Sequence, residues 1–147
     1  MKLAKIFKEF ISSWDKKSPT LMYGIEDGYV YLMPDTARMF RIPEKDFIID
    51  MSKALPHKVP LENVKKFSDD KGTEEANRTS ILRSTDDKRT LVKIVGEKSH
   101  AWVNVKFLDY FEGNVTYRIS SPKAPVLVYE NEEIVGIVLP VNYKEDE

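Results

Sequence analysis

The sequence predicts an α+β fold, antiparallel sheets with two or three helices packed on one face. Three observations predict it. Leu3, Ile6, Phe7, Phe10, Ile11 and Trp14 recur at the spacing of one helical stripe. From Leu21 onward, short apolar runs alternate with turn residues, as hairpins require. The last fifty or so residues read as strand, short helix, then three strands.

The first helix carries its lysines outside the apolar stripe and is expected to stop at Ser18-Pro19, since a residue before proline is pushed out of the helical region. Leu21 to Ile25 and Tyr29 to Met33 flank Glu26-Asp27-Gly28 and predict a β-hairpin. Pro34-Asp35 is expected to break its second strand, with further strands at Ala37 to Ile42 and Phe47 to Ile49. Leu61, Val64 and Phe67 predict a short helix starting near Pro60, because proline suits a first turn. The polar run from Ser68 to Glu75 reads as a loop. Thr79 to Arg83 and Thr90 to Val95 predict a second hairpin around charged turn residues.

Ala101 to Val103 predicts a strand that meets Asn104, a good helix cap. Val105, Leu108 and Phe111 then continue a helix as far as Gly113. Strands follow at Val115 to Ile119, Val126 to Tyr129 and Ile134 to Leu139. The last is continuously apolar and is expected to be buried on both faces.

Composition bounds the function. The chain has 147 residues, 41% hydrophobic and 32% charged, which suits one globular domain with a real core. Cysteine is absent, which excludes disulfides and thiolate metal sites. No apolar run approaches ~20 residues, so no membrane partner is expected, and the chain reads as cytoplasmic. The net charge of −1 is unevenly spread: residues 1–20 hold five lysines against two acids, and residues 129–147 hold six acids against Lys144.

Few residues point to catalysis. His57 and His100 are the whole imidazole supply and have no companion at metal-ligand spacing, so no metal is expected. The acid pairs Asp69-Asp70, Glu74-Glu75, Asp86-Asp87 and Glu132-Glu133 all fall in expected turns, where acids are favoured by solvation. No glycine-rich phosphate loop exists, and no cofactor is expected. Lys2, Lys5 and Lys8 are better candidates. They fall within an arc of about 120° on the first helix and offer point charges to phosphates, although solubilising lysines on an ordinary amphipathic helix look the same.

The run from Ala101 to Phe111 resembles the strand-into-helix segment of the last domain of bacterial DNA sliding clamps, the beta subunit of DNA polymerase III. Ile137-Val138-Leu139-Pro140-Val141 is similar to the clamp's terminal strand, which ends on an apolar-Pro-apolar triplet. The resemblance is close over residues 100–141 and loose over 1–42. It implies a DNA-clamp-like single domain over 1–147, with halves at 1–50 and 78–141, an irregular insertion at 51–77 and an acidic tail at 142–147.

By the same resemblance, Lys2, Lys5, Lys8 and Lys106 would face double-stranded DNA, and Leu139, Pro140 and Val141 would help dock peptides of polymerases or other partners. Clamp chains carry several such domains. A single one would have to self-associate, about six copies to a ring, with strand edges paired between subunits. So short a chain suits a phage or prophage product.

The function expected is therefore non-enzymatic, a sliding-clamp-like DNA-replication accessory or DNA-binding protein. One alternative is a protein–protein interaction adaptor or inhibitor of a host replication protein without DNA contact. Another is a small metal-dependent hydrolase using its dispersed acids.

Overall fold

A computed structural model describes residues 1–15, 21–50 and 59–145 of the chain. The side chain of Trp14, the Ser18-Pro19 stop, Pro56-His57 and the last two residues lie outside the described residues.

Among the described residues, helix α1 (Leu3–Asp15) is followed by strands β1 (Met22–Glu26), β2 (Tyr29–Asp35) and β3 (Arg38–Pro43). The two-residue β4 (Val59–Pro60) leads to a tight turn of 3-10 helix at Val64–Ser68. A long hairpin follows, β5 (Glu74–Ser84) with β6 (Thr90–Gly96), and then β7 (His100–Asn104). The single turn α2 (Val105–Leu108) precedes β8 (Val115–Ile119), β9 (Val126–Glu130) and β10 (Glu133–Val138).

All ten strands belong to one sheet, in the order β4-β1-β2-β3-β10-β9-β8-β5-β6-β7. Every pairing is antiparallel except that of β4 with β1.

This corrects the expected α+β, DNA-clamp-like arrangement of sheets under two or three packed helices. One large sheet dominates, and α1 is its only long helix among the described residues. Two of the expected helices shrink for identifiable reasons. Asn104 does cap α2, its side chain accepting from the Lys106 N–H at 3.1 Å. The helix nevertheless ends at Leu108, because Tyr110 and Phe111 both turn into the core against Phe40, with ring centroids 5.3 and 5.7 Å away. Neighbouring residues of a helix point about 100° apart, so continuing it would swing one of these rings off that contact. The Leu61–Phe67 helix is likewise only a 3-10 turn, with Pro60 paired to Tyr23 in β4.

Two strand expectations also change. Phe47 to Ile49 is no strand; Phe47 sits edge-on to Phe7 and Phe10 of α1 at 5.6 and 6.5 Å. β2 runs through Pro34 to Asp35, with an irregular register after Leu32 that accommodates the proline.

Alternation along the strands separates two faces. The inner face holds Leu32, Phe40, Ile42, Val126, Val128 and Val138, all buried and packed with Ile6, Phe7 and Phe10 of α1. Each such side chain contributes about 1.5–3 kcal/mol relative to its exposed state. Ile11, expected in the stripe, is 50% exposed. The outer face carries Tyr31, Met39, Leu127 and Ile137, with Val64 of the 3-10 turn packed on them. β10 lies between β3 and β9, and Val135 to Val138 are buried, as their unbroken apolar character predicts. Gly136 is needed there: a Cβ would lie 2.7 Å from the Met39 carbonyl oxygen and 2.8 Å from the Phe111 ring.

The sheet is also curled. β10 and β7 are five strands apart, about 24 Å in a flat sheet at ~4.8 Å per strand. Yet Val141, three residues past the last paired residue of β10, bridges Trp102 of β7. Three residues span at most about 11 Å. The sheet therefore bends round its inner face until edge β7 meets the chain leaving β10. No helix among the described residues is long and apolar enough to cross a membrane.

Candidate functional site

The outer face is not fully covered. Where β2, β3, β9 and the end of β10 come together beside the 3-10 turn, they leave an open cleft of about 400 Å³. Its apolar surface comes from Met33, Met39, Phe67, Leu127, Ile137 and Leu139. Alternation explains why the strand side chains converge, since Met33, Met39, Leu127 and Ile137 each neighbour an inner-face residue on their own strand, while Phe67 comes from the 3-10 turn. Leu139, just past β10, is 41% exposed and held in place by its N–H donating to the Ala37 carbonyl at 2.8 Å.

Lys66, Asp69 and Lys71 stand on the rim of the cleft and also line an adjoining polar recess of about 580 Å³, so the two form one continuous groove. Among the described residues, neither lysine is in an ion pair. Asp69 accepts from the Lys71 N–H at 3.0 Å, and Asp70 accepts from the Tyr129 hydroxyl at 3.1 Å. In the recess, Arg41 donates to the Tyr31 hydroxyl at 3.2 Å and to the Ile134 carbonyl at 3.0 Å. Lys65 is paired with Asp27.

Arg38 closes the end of the cleft from the inner side. It is 8% exposed and bound to two carboxylates, Asp35 at 2.7 Å and Glu9 of α1, which also accepts from the Tyr110 hydroxyl. Burial pulls the Arg38 guanidinium down, but the hydrogen bonds it donates to Glu9 and Asp35 outweigh it and hold it above its ordinary value. Its charge is thus neutralised within the fold. On the rim two lysines face one aspartate, which leaves a modest positive excess.

The sequence-predicted residues fall in three places. Lys5 and Lys8 are exposed on α1, Lys2 is exposed just ahead of it, and Lys106 is exposed on α2. The two helices meet at Tyr110: the Lys2 N–H donates to the Tyr110 carbonyl at 2.8 Å, and the Lys5 ammonium lies 4.4 Å from the centroid of its ring. Leu139 lines the cleft, whereas Pro140 and Val141 do not, Val141 being bonded to β7.

The acid pairs are dispersed. Asp86-Asp87 occupies the β5–β6 turn, where Thr85 and Arg89 hold the Asp87 carboxyl below its ordinary range. Among the described residues, no three His, Asp or Glu side chains are grouped to hold a metal. Met33, Met39 and Leu127 are signalled in the sequence only as apolar character on both alternating sets of β2, β3 and β9, and the rim lysines, in the 3-10 turn and the polar loop after it, carry no such signal.

The chain matches no protein-family model, no curated protein and no solved structure. Nothing in these comparisons connects it to sliding clamps, so that likeness stands on the sequence segments alone.

Proposed function

We propose that this chain is a non-enzymatic interaction module that captures a short extended segment of a partner protein in the outer-face cleft. The observation that carries this reading is the open apolar groove at the middle of the sheet, where a monomer would ordinarily be covered or polar. Methionines at 33 and 39 suit such a role, since unbranched thioethers adapt to different side chains. The rim lysines select the occupant: bulky aliphatic side chains for the cleft and an acidic residue beside them for Lys66 and Lys71.

Selection from a display library of short peptides tests this. The expected winners combine two aliphatic residues with a neighbouring Asp or Glu. Leu139→Asp should abolish their binding, and Lys71→Glu should remove the preference for acid. Absence of enrichment, or binding indifferent to Leu139→Asp in a folded variant, defeats the reading.

A second reading, contact with double-stranded DNA, draws support from the exposed Lys2, Lys5, Lys8 and Lys106, which lie on or beside the helices that pack on the inner face. Such contact is electrostatic and therefore strongly salt-dependent. Changing Lys2, Lys5 and Lys8 to Glu should eliminate duplex binding in fluorescence anisotropy at low salt. Peptide capture on the opposite face should be unaffected, which separates the two readings. Light scattering in the same buffers reports whether DNA retention requires self-association.

A further inference from the structure

The edge strand β7 offers a second docking surface, distinct from the cleft. Among the described residues its one strand partner is β6, and its other side is met by residues 141–145 of the chain itself. Those residues bind as a ligand would. The Val141 N–H donates to the Trp102 carbonyl at 2.8 Å. The Tyr143 ring stands edge-on to the Trp102 indole, with centroids 5.0 Å apart. The Glu145 carboxylate collects the Trp102 indole N–H at 3.0 Å and the Lys93 ammonium at 2.8 Å, with His100 Nε2 at 3.9 Å.

Two donors from two neighbouring strands, the Lys93 ammonium and the Trp102 indole N–H, thus converge on one carboxylate beside a buried indole, with the His100 ring nearby. That arrangement recognises an aromatic side chain followed two residues later by an acid. The chain's own tail uses it incompletely. In an antiparallel ladder continued from the Trp102–Val141 bridge, residue 143 would face His100. Instead the Tyr143 N–H turns back to the Val141 carbonyl at 2.9 Å, and the tail leaves the ladder after a single bridge. Glu145 and His100 are both more than 40% exposed, so the carboxylate is held at the surface, where an ion pair contributes little.

We propose that the β7 edge with Trp102, Lys93 and His100 is a strand-docking site for a partner protein's extended segment of the pattern apolar-x-aromatic-x-acid, and that residues 141–145 occupy it in cis until displaced. A partner segment that follows the same course can displace the tail, because the tail's hold on β7 is a single backbone bridge and a surface ion pair. The cis tail acts as a competitor at high effective concentration and sets the threshold for entry. This site is independent of the outer-face cleft and does not require that cleft to bind anything.

The test uses the full chain and a labelled, amidated Val-Asn-Tyr-Lys-Glu peptide as probe. A variant with Tyr143→Ala and Glu145→Gln loosens the tail and leaves the site residues untouched. It should bind the probe about tenfold or more tightly than the unaltered chain, by fluorescence anisotropy, because the tethered competitor is gone. Adding Lys93→Glu should remove that binding, with circular dichroism checking that each variant is folded. Glu145→Gln alone serves as a milder version, with a smaller gain in the same direction. Equal binding by the unaltered chain and the loosened variant, or none by a folded loosened variant, overturns the proposal. A doubled mass for the unaltered chain in light scattering would assign the site to the tail of a second copy and also overturn it.

Discussion

The two faces of the sheet are made by the same strands and differ in what covers them. On the inner face, Leu32, Phe40, Ile42, Val128 and Val138 meet α1 and the two rings that follow α2 and are buried. On the outer face, Met39, Leu127 and Ile137 pack with Leu61 and the 3-10 turn at Val64–Ser68, which leaves the cleft beside them. A side chain and its neighbour one residue away therefore serve different ends. The inner one closes the core; the outer one forms a surface that water should leave readily when a partner arrives.

The largest expected effect separates the faces directly. Phe40→Ala, at a site 1% exposed, should cost about 3–5 kcal/mol in chemical denaturation, since it deletes a ring from the packed core. Leu139→Ala, at 41% exposure, should cost under about 1 kcal/mol while weakening peptide capture. If the two losses were similar, the outer face would be as much a part of the stabilising core as the inner one.

Arg38→Met sharpens the comparison at the point where the faces meet. It leaves Glu9 and Asp35 without their shared cation, yet both carboxylates are partly exposed, at 26% and 38%. The cost should be about 2 kcal/mol, below that of a fully buried pair, because water can reach both acids. Combining it with Glu9→Gln should cost less than the sum of the two single changes in a double-mutant cycle.

The smallest effect is a pH dependence confined to the outer face. The Tyr29 hydroxyl, with Arg41 as a second donor, holds the Glu133 carboxyl below its ordinary value. A depressed acid stabilises the fold above the ordinary carboxylate pKa and loses that contribution as pH falls through the folded value. Glu133→Gln should therefore lower stability at neutral pH by at most about 0.5 kcal/mol, since the pair is largely exposed, and the two chains should converge as pH falls through the depressed folded value. A difference that grew toward acid would reverse the assigned sign.

How much of this was legible follows the range of the interactions. The α1 stripe, both hairpins and the last three strands could be read because each depends on residues a few positions apart. The α2 region misled because Val105, Leu108 and Phe111 keep helical spacing, while a ring from β3 drew Tyr110 and Phe111 together. Leu139, which the clamp resemblance marks for peptide docking together with Pro140 and Val141, lines the outer-face cleft, whereas those two do not. Its companions on β2, β3 and β9 were hidden, because apolar residues on both faces of a strand read simply as burial.

By itself, the sequence determined the local elements: the helical period of residues 3–11, the alternation of the strands, and the turns at Asp27-Gly28 and Asn131-Glu132. Tertiary structure alone decided that ten strands join in one curled sheet, that Glu9 and Arg38 meet across 29 positions, and that residue 141 reaches residue 102. The reason is physical. Periodicity is set by backbone geometry within a turn or a strand, whereas pairing between distant segments depends on which buried surfaces fit, and that is settled only when the whole core closes.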